Sequence, residues 1–254
     1  MSQPPTDPIY QRIGTGYANR RRVEPLWMQL IEQELADAVT VVNVGAGTGS
    51  YEPSDRAVVA VEPSMVMISQ RASDAAPVVR AVAEQLPFAD NQFDVALAFF
   101  TVHHWSDFAQ GMRELQRVSR RQLLITWRPE VTTETFWLAR DYLPDVQARE
   151  ANLPTTAQVL DALGTGAREI VLPVPADCAD GVFAAYWARP HMYLDASVRN
   201  AMSGVRLLPQ DTVDGAMQRL ANDLADGTWQ QRYGAAQDLA ATPDFGYRLI
   251  VSAS

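Results

Sequence analysis

The 254-residue chain has no lysine; all 21 of its basic residues are arginine. Schiff-base catalysis needs a lysine amine, and the usual P-loop needs a lysine to grip phosphate, so both classes are excluded. Cysteine occurs once, as Cys178, which rules out an internal disulfide and suits a reducing cytoplasm. The three histidines, with His103 and His104 adjacent, offer no metal-ligand spacing, so no metal is expected. No apolar run approaches the roughly 18 residues that suggest a membrane span. Met1 to Tyr10 is polar and proline-rich, without the basic-then-apolar pattern of a signal peptide. Positive charge is in deficit as well: 30 acidic residues give a net charge of −9. That balance argues against a nucleic-acid binder whose affinity rests on neutralising phosphates. The expectation is a cytoplasmic protein with neither nucleic acid nor membrane as partner, its oligomeric state left open.

What the chain does contain is an ordinary globular composition, 47% hydrophobic and 20% charged. Leu26, Leu30, Ile31 and Leu35 recur at helical spacing, and Pro25 suits a first turn, so a helix is expected over 25–38. Val41 to Val44 then reads as a buried strand running into Gly45-Ala46-Gly47-Thr48-Gly49. Further strands are expected at 57–61, 78–82, 93–99 and 122–127, with a short helix from Pro63 to Arg71. Phe108, Met112, Leu115 and Val118 mark one face of another helix. Strands alternating with helices mean parallel βαβ units and an α/β sheet. Beyond Trp127 the pattern loosens. Residues 130–162 and 176–240 read as mostly helical inserts above the sheet, with 168–173 and 245–251 returning as strands.

Three alternate glycines after a buried strand let the backbone turn sharply and approach a ligand. Glu62 closes the second strand beside that loop, where a carboxylate can accept from both hydroxyls of a ribose. Together they favour a nucleoside-containing ligand, either a nicotinamide dinucleotide or S-adenosylmethionine. A pyrophosphate wants a full helix N-terminus. Only Ser50 to Arg56 separate the loop from the second strand, and Pro53 lies among them. The short crossover therefore leans to a ligand without phosphates.

The segment Ala83-Glu84-Gln85-Leu86-Pro87-Phe88-Ala89-Asp90-Asn91-Gln92-Phe93-Asp94 resembles the "AExLPFxDxxFD" stretch of class I S-adenosylmethionine-dependent methyltransferases. The glycine loop, Val61 to Met67, Val102-His103-His104-Trp105 and Glu114-Leu115-x-Arg117-Val118 extend the resemblance over residues 39–128. The likeness is strongest to the small-molecule branch that includes ubiquinone and menaquinone C-methyltransferases. It implies a Rossmann-like, seven-stranded, mostly parallel sheet with helices on both faces, helical lid insertions and an antiparallel last strand. The expected organisation is one methyltransferase domain: an N-terminal lid segment 1–38, a cofactor-binding core 39–128, helical insertions 129–240 and a last strand at 245–252.

By the same resemblance, Gly45, Ala46 and Gly47 would contact the methionine and ribose parts of S-adenosylmethionine. Glu62 would hold the ribose, Pro63 and Met67 would pack against adenine, and the backbone of Ala83 and Glu84 would meet its edge. Phe99 and Phe100 would lie near the methyl. Family members often carry Asp where this chain has Val82; either Glu84 takes that role or adenine is held with one hydrogen bond fewer. His103 and His104 are candidate catalytic bases, His104 the preferred one, or else they shape the pocket wall. Asp107 reads as a helix cap. Tyr10 and Tyr17, flanking a Gly14-x-Gly16 turn, belong either to a lid over the cofactor, with Tyr17 a contact, or to plain packing. Arg20-Arg21-Arg22 either meets an anionic group or is solvated. The expected activity is methyl transfer to an O, N or C atom of a small-molecule acceptor. The alternatives are an NAD(P)-dependent oxidoreductase and a non-catalytic cofactor-binding module.

Overall fold

In the computed structural model, which describes residues 21–150, 153–234 and 242–253, the apolar runs become strands. These are β1 Thr40–Val44, β2 Ala57–Val61, β3 Val78–Val79, β4 Phe93–Phe99, β5 Ser119–Trp127, β6 Arg168–Val171 and β7 Tyr247–Val251. They pair in the order β3-β2-β1-β4-β5-β7-β6. β3, β2, β1, β4 and β5 run parallel, and β7 lies antiparallel between β5 and β6. β-branched and small apolar residues fill the inner strands because both faces of such a sheet are covered.

The helices are α1 Pro25–Leu35, α2 Met65–Ile68, α3 Phe108–Val118, α4 Pro129–Thr135, α5 Asp145–Glu150, α6 Thr156–Leu163, α7 Ala196–Arg199, α8 Ser203–Arg206, α9 Gln210–Ala225 and α10 Thr228–Tyr233. α1 buries Trp27, Ile31 and Leu35 against Val41, Val95, Leu97 and Leu123 on one face. α3 and α6 cover the other, placing Met112, Leu115, Val118, Val159 and Leu163 over Val42, Ala96 and Leu124. Asp107 caps α3 by accepting from Gln110 N, as expected. A capping box between Thr155 and Gln158 starts α6, and Gly164 at φ 84° ends it.

Several boundaries differ from expectation for local reasons. α1 stops at Leu35 because Ala36 adopts φ 50°, and the third strand is only two residues long. The stretch from Ala176 to Ala188 contains no helix. Its carbonyls are met by successive turns, such as Ala185 N to Val182 O and Trp187 N to Ala184 O, and by side chains: Arg189 donates to Cys178 O and Ala185 O. Pro173, Pro175 and Pro190 flank the stretch. The insert's aromatics Phe136, Trp137, Tyr193 and Trp229 belong to the same continuous core as α1. Among the described residues, no helix is long and apolar enough to cross a membrane.

Candidate active site

β1 pairs with β2 on one side and β4 on the other, so the chain switches direction across the sheet at the carboxyl end of β1. Open α/β sheets bind ligands at such a point. A cavity of about 270 Å3 lies there. Gly45 N and Ala46 N both donate to Val61 O, at 2.9 and 3.0 Å, which ties the loop to the end of β2. Gly45 has φ +70° and Gly47 φ +55°, a region that favours glycine. A Cβ on Gly45 would collide with Thr101 Oγ1. Glu62 is only 5% exposed, with Oε2 accepting from Gly47 N at 2.9 Å and Oε1 from Ser64 N at 2.8 Å. One carboxylate thus fixes the glycine loop and forms part of the cavity wall.

Every cofactor contact expected within the described residues lines this cavity: Gly45, Ala46, Gly47, Glu62, Pro63, Met67, Ala83, Glu84, Phe99 and Phe100. Tyr17, with Tyr10 and the Gly14-x-Gly16 turn, lies outside the described residues. Val82 lines the wall as an apolar surface. Of the two alternatives for adenine, Glu84 has one oxygen already occupied: Oε1 accepts from Ser106 N, Ser106 Oγ and Asp107 N. That carboxylate holds down the loop after β4.

The two candidate bases part company. Val102–His104 is a 3-10 turn, in which neighbouring side chains are splayed about 120° apart. His104 lines the first cavity, whereas His103 lines a second one of about 70 Å3 and takes no part in the first. Of the two candidate bases, His104, the preferred one, therefore lines the first cavity, and His103 does not. The His103 ring lies edge-on to Trp127, with centroids 4.9 Å apart. Burial, and next the proximity of His104, hold its pKa well below the usual histidine value, so the ring is neutral. Its Nδ1 is sealed from solvent without a hydrogen-bond partner.

Arg21 and Phe100 line both cavities. Phe100 sits at φ +53°, a strained conformation for an aromatic residue, and donates its N–H to Ile125 O. The second cavity also contains Glu150, whose Oε2 accepts from Trp127 Nε1 at 2.8 Å. Burial pushes this carboxyl up to about 7, with no ion-pair partner among the described residues to oppose it.

Sequence reasoning missed the groups that brace the loop. Tyr51, at φ +62°, donates its hydroxyl to Asp180 Oδ2 and accepts from Glu24 N. Asp180, fully buried, also takes Arg21 Nε and Nη2 at 2.5 and 3.1 Å. The Arg21 guanidinium in turn lies 5.2 Å over the Phe100 ring. Glu52 pairs with Arg71 at 2.8 Å and accepts from Asn43, and both charges are nearly buried. The arginine run at 20–22 was the one visible signal, and at Arg21 it resolves into a buried pair. Cys178 is buried and its thiol pushed far up, first by burial, which makes it unreactive.

The donor set fits an S-adenosyl group. Glu62 and Glu84 contribute carboxylates to the lining, and Arg21, the only arginine among the described lining residues, is engaged by Asp180. No helix occurs between the glycine loop and β2, so nothing there resembles a pyrophosphate site. The tight turn lets a ligand approach the backbone, and Met67, Val82 and Ala83 offer an apolar slot for a base.

Comparison with known proteins agrees with this geometry. Residues 42–123 match the family model described as a methyltransferase domain. A putative methyltransferase from an antibiotic biosynthesis pathway of Anabaena variabilis superposes with a TM-score of 0.83 and 28% identity, covering 91% of this chain and 98% of that one. A demethylmenaquinone methyltransferase of Corynebacterium kroppenstedtii is 32% identical over 102 residues, 38% of this chain and 44% of that protein. A tRNA (carboxymethyluridine(34)-5-O)-methyltransferase of Schizosaccharomyces pombe is 24% identical over 165 residues, 58% of this chain and 69% of that protein. The first curated relatives are spanned over 17, 44 and 46% of their length.

Proposed function

We propose that residues 42–123, which match a methyltransferase-domain model, form a class I S-adenosylmethionine-dependent methyltransferase domain and that the protein transfers a methyl group from S-adenosylmethionine to a small-molecule acceptor. The observation that carries the reading is Glu62, a buried carboxylate fixed by Gly47 N and Ser64 N in the wall of the cavity. In this reading Glu62 accepts from the ribose hydroxyls, and Gly45 to Gly47 meet the ribose and amino-acid parts. Pro63, Met67, Val82 and Ala83 enclose the adenine. Bound there, S-adenosylmethionine supplies an electrophilic methyl on a sulfonium, already a good leaving group.

Little remains for the protein beyond alignment and the exclusion of water. Phe99, Phe100 and Trp105 form the apolar wall that keeps water out, and His104 is placed to hold a proton if the accepting atom must lose one. The net charge of −9 supports a small molecule over a nucleic acid. The lone thiol and the absence of a spanning helix among the described residues support a cytoplasmic site of action away from the membrane.

Calorimetric titration with S-adenosylhomocysteine tests the reading. The wild-type chain should bind it and not NAD. Glu62→Ala should lose about 2–3 kcal/mol of affinity, the scale of charge-assisted hydrogen bonds. The same change also frees the N–H groups of Gly47 and Ser64, so thermal melts must accompany it. Undiminished affinity in a folded Glu62→Ala protein would remove the ribose assignment.

A further inference from the structure

We infer that the second cavity receives the polar head of the methyl acceptor, and that this acceptor is a small aromatic molecule bearing a hydroxyl or amino donor and no anionic group. The inference rests on the methyl-transfer reading for the word acceptor, and on the cavity alone for its chemistry. The space lies between the sheet and the insert and adjoins the first cavity at Phe100 and Arg21. A molecule seated in it can therefore reach past Phe100 toward the donor site.

The walls define the body of the ligand. Phe100, Trp127, Phe183 and Tyr247 supply aromatic surface, and Val182 and Met202 complete an apolar lining. At about 70 Å3 the cavity is about half the roughly 150 Å3 in which an apolar cavity holds benzene, so it takes the polar head and the edge of a ring, with the rest of the molecule lying past Phe100. A prenyl tail or a nucleotide base with its sugar does not fit.

The polar groups define the head. Most are already engaged. The Thr132 hydroxyl donates to Phe245 O, the Tyr247 oxygen accepts from Ala184 N, and the charge of Arg21 faces Asp180. Four groups remain: the Glu150 carboxyl, which receives one bond from Trp127 and no cation; the neutral ring of His103, with Nδ1 unpartnered among the described residues; the hydroxyl of Ser203; and the O–H of Tyr247, whose oxygen only accepts. The second carboxyl oxygen of Glu150 and the unprotonated nitrogen of a neutral imidazole can accept from a ligand hydroxyl or amine, and the Tyr247 O–H can donate to its heteroatom. An anion would meet the Glu150 carboxyl with no uncommitted cation to offset it. Buried polar atoms left without partners are costly, so filling this site with a donor also removes a defect of the unliganded fold.

Ligand-observed NMR on the full chain saturated with S-adenosylhomocysteine decides the matter, with phenol, toluene and benzoate as probes of nearly equal shape. Phenol should bind at least about fivefold more tightly than toluene, the scale of one ordinary hydrogen bond, and benzoate should bind weakest. Glu150→Leu and His103→Leu should each bring phenol close to toluene while leaving S-adenosylhomocysteine affinity unchanged. Equal binding of all three probes, tightest binding of benzoate, no phenol binding at about 10 mM, or a phenol preference that survives in both variants would overturn the inference. Should either variant fail to fold, the wild-type ranking and the other variant still decide. If phenol selectivity holds but S-adenosylhomocysteine does not bind, the recognition chemistry stands and the methyl-transfer reading falls.

Discussion

Replacing Glu150 with glutamine should stabilise the protein above neutral pH and change it little in mild acid. The carboxyl is pushed up to about 7 by burial, against an ordinary value of 4.5. Between those values the folded state holds a proton that the unfolded state has released, so folding stability falls as pH rises from about 4.5 to about 7. At about 1.36 kcal/mol per pH unit, the gap amounts to about 3 kcal/mol once both states are ionised. Glutamine keeps a carbonyl oxygen for Trp127 Nε1 and nearly the same volume, so the packing term changes little. His103 is held neutral by burial in the folded state and takes up its proton only on unfolding, a contribution common to wild type and variant that cancels between them, and the phenol of Tyr247, pushed up by burial, stays protonated throughout this window. Urea unfolding at pH 5 and pH 8 would read the effect as a shift in midpoint at constant slope. The variant should gain about 3 kcal/mol at pH 8 and about 1 kcal/mol at pH 5. An equal gain at both pH values, or a loss at pH 8, refutes the account of a carboxyl buried without a cation.

Gly45→Ala should lower stability by about 2–4 kcal/mol, combining a left-handed φ with overpacking against Thr101, and should abolish S-adenosylhomocysteine binding by tilting the loop. Thermal melts and titration check the two effects separately. His104→Ala should lower turnover on the true acceptor by about a hundredfold if the accepting atom carries a proton, with cofactor affinity unchanged. Near-full turnover would make His104 part of the wall and leave the reaction to alignment.

The parts of the site that depend on a few consecutive residues were legible in the sequence. The strand at Phe93–Phe99 and the helix at Phe108–Val118 have the boundaries their apolar spacing indicates. The glycine loop and Glu62 also meet as read, because a parallel register places Gly45 and Glu62 immediately beyond the paired Val44 and Val61. What was not legible depends on distance along the chain. Asp180 reaches Tyr51 across 129 positions and Arg21 across 159, and no periodicity announces such a meeting. The separation of His103 from His104 depends on a single 3-10 turn that no residue pattern marks. Glu150 drew no attention in the sequence, and only the fold shows that it sits beside Trp127.

β7 comes later in the chain than every other strand, yet it lies inside the sheet, and β6 pairs only with it. Tyr247, at its start, is a wall of the second cavity. During N-to-C synthesis, β1, β2 and β4 emerge first and can hold the glycine loop, while β6 has no neighbour until β7 arrives. The two halves of the site are thus assembled in sequence, the donor side early and the acceptor side last. In refolding, pulse-labelled hydrogen exchange should find the β1 and β4 amides protected before those of β6, and the reverse order would contradict this assembly. A nascent chain shaped this way can form its cofactor-side cradle before it has any place to put the molecule to be methylated.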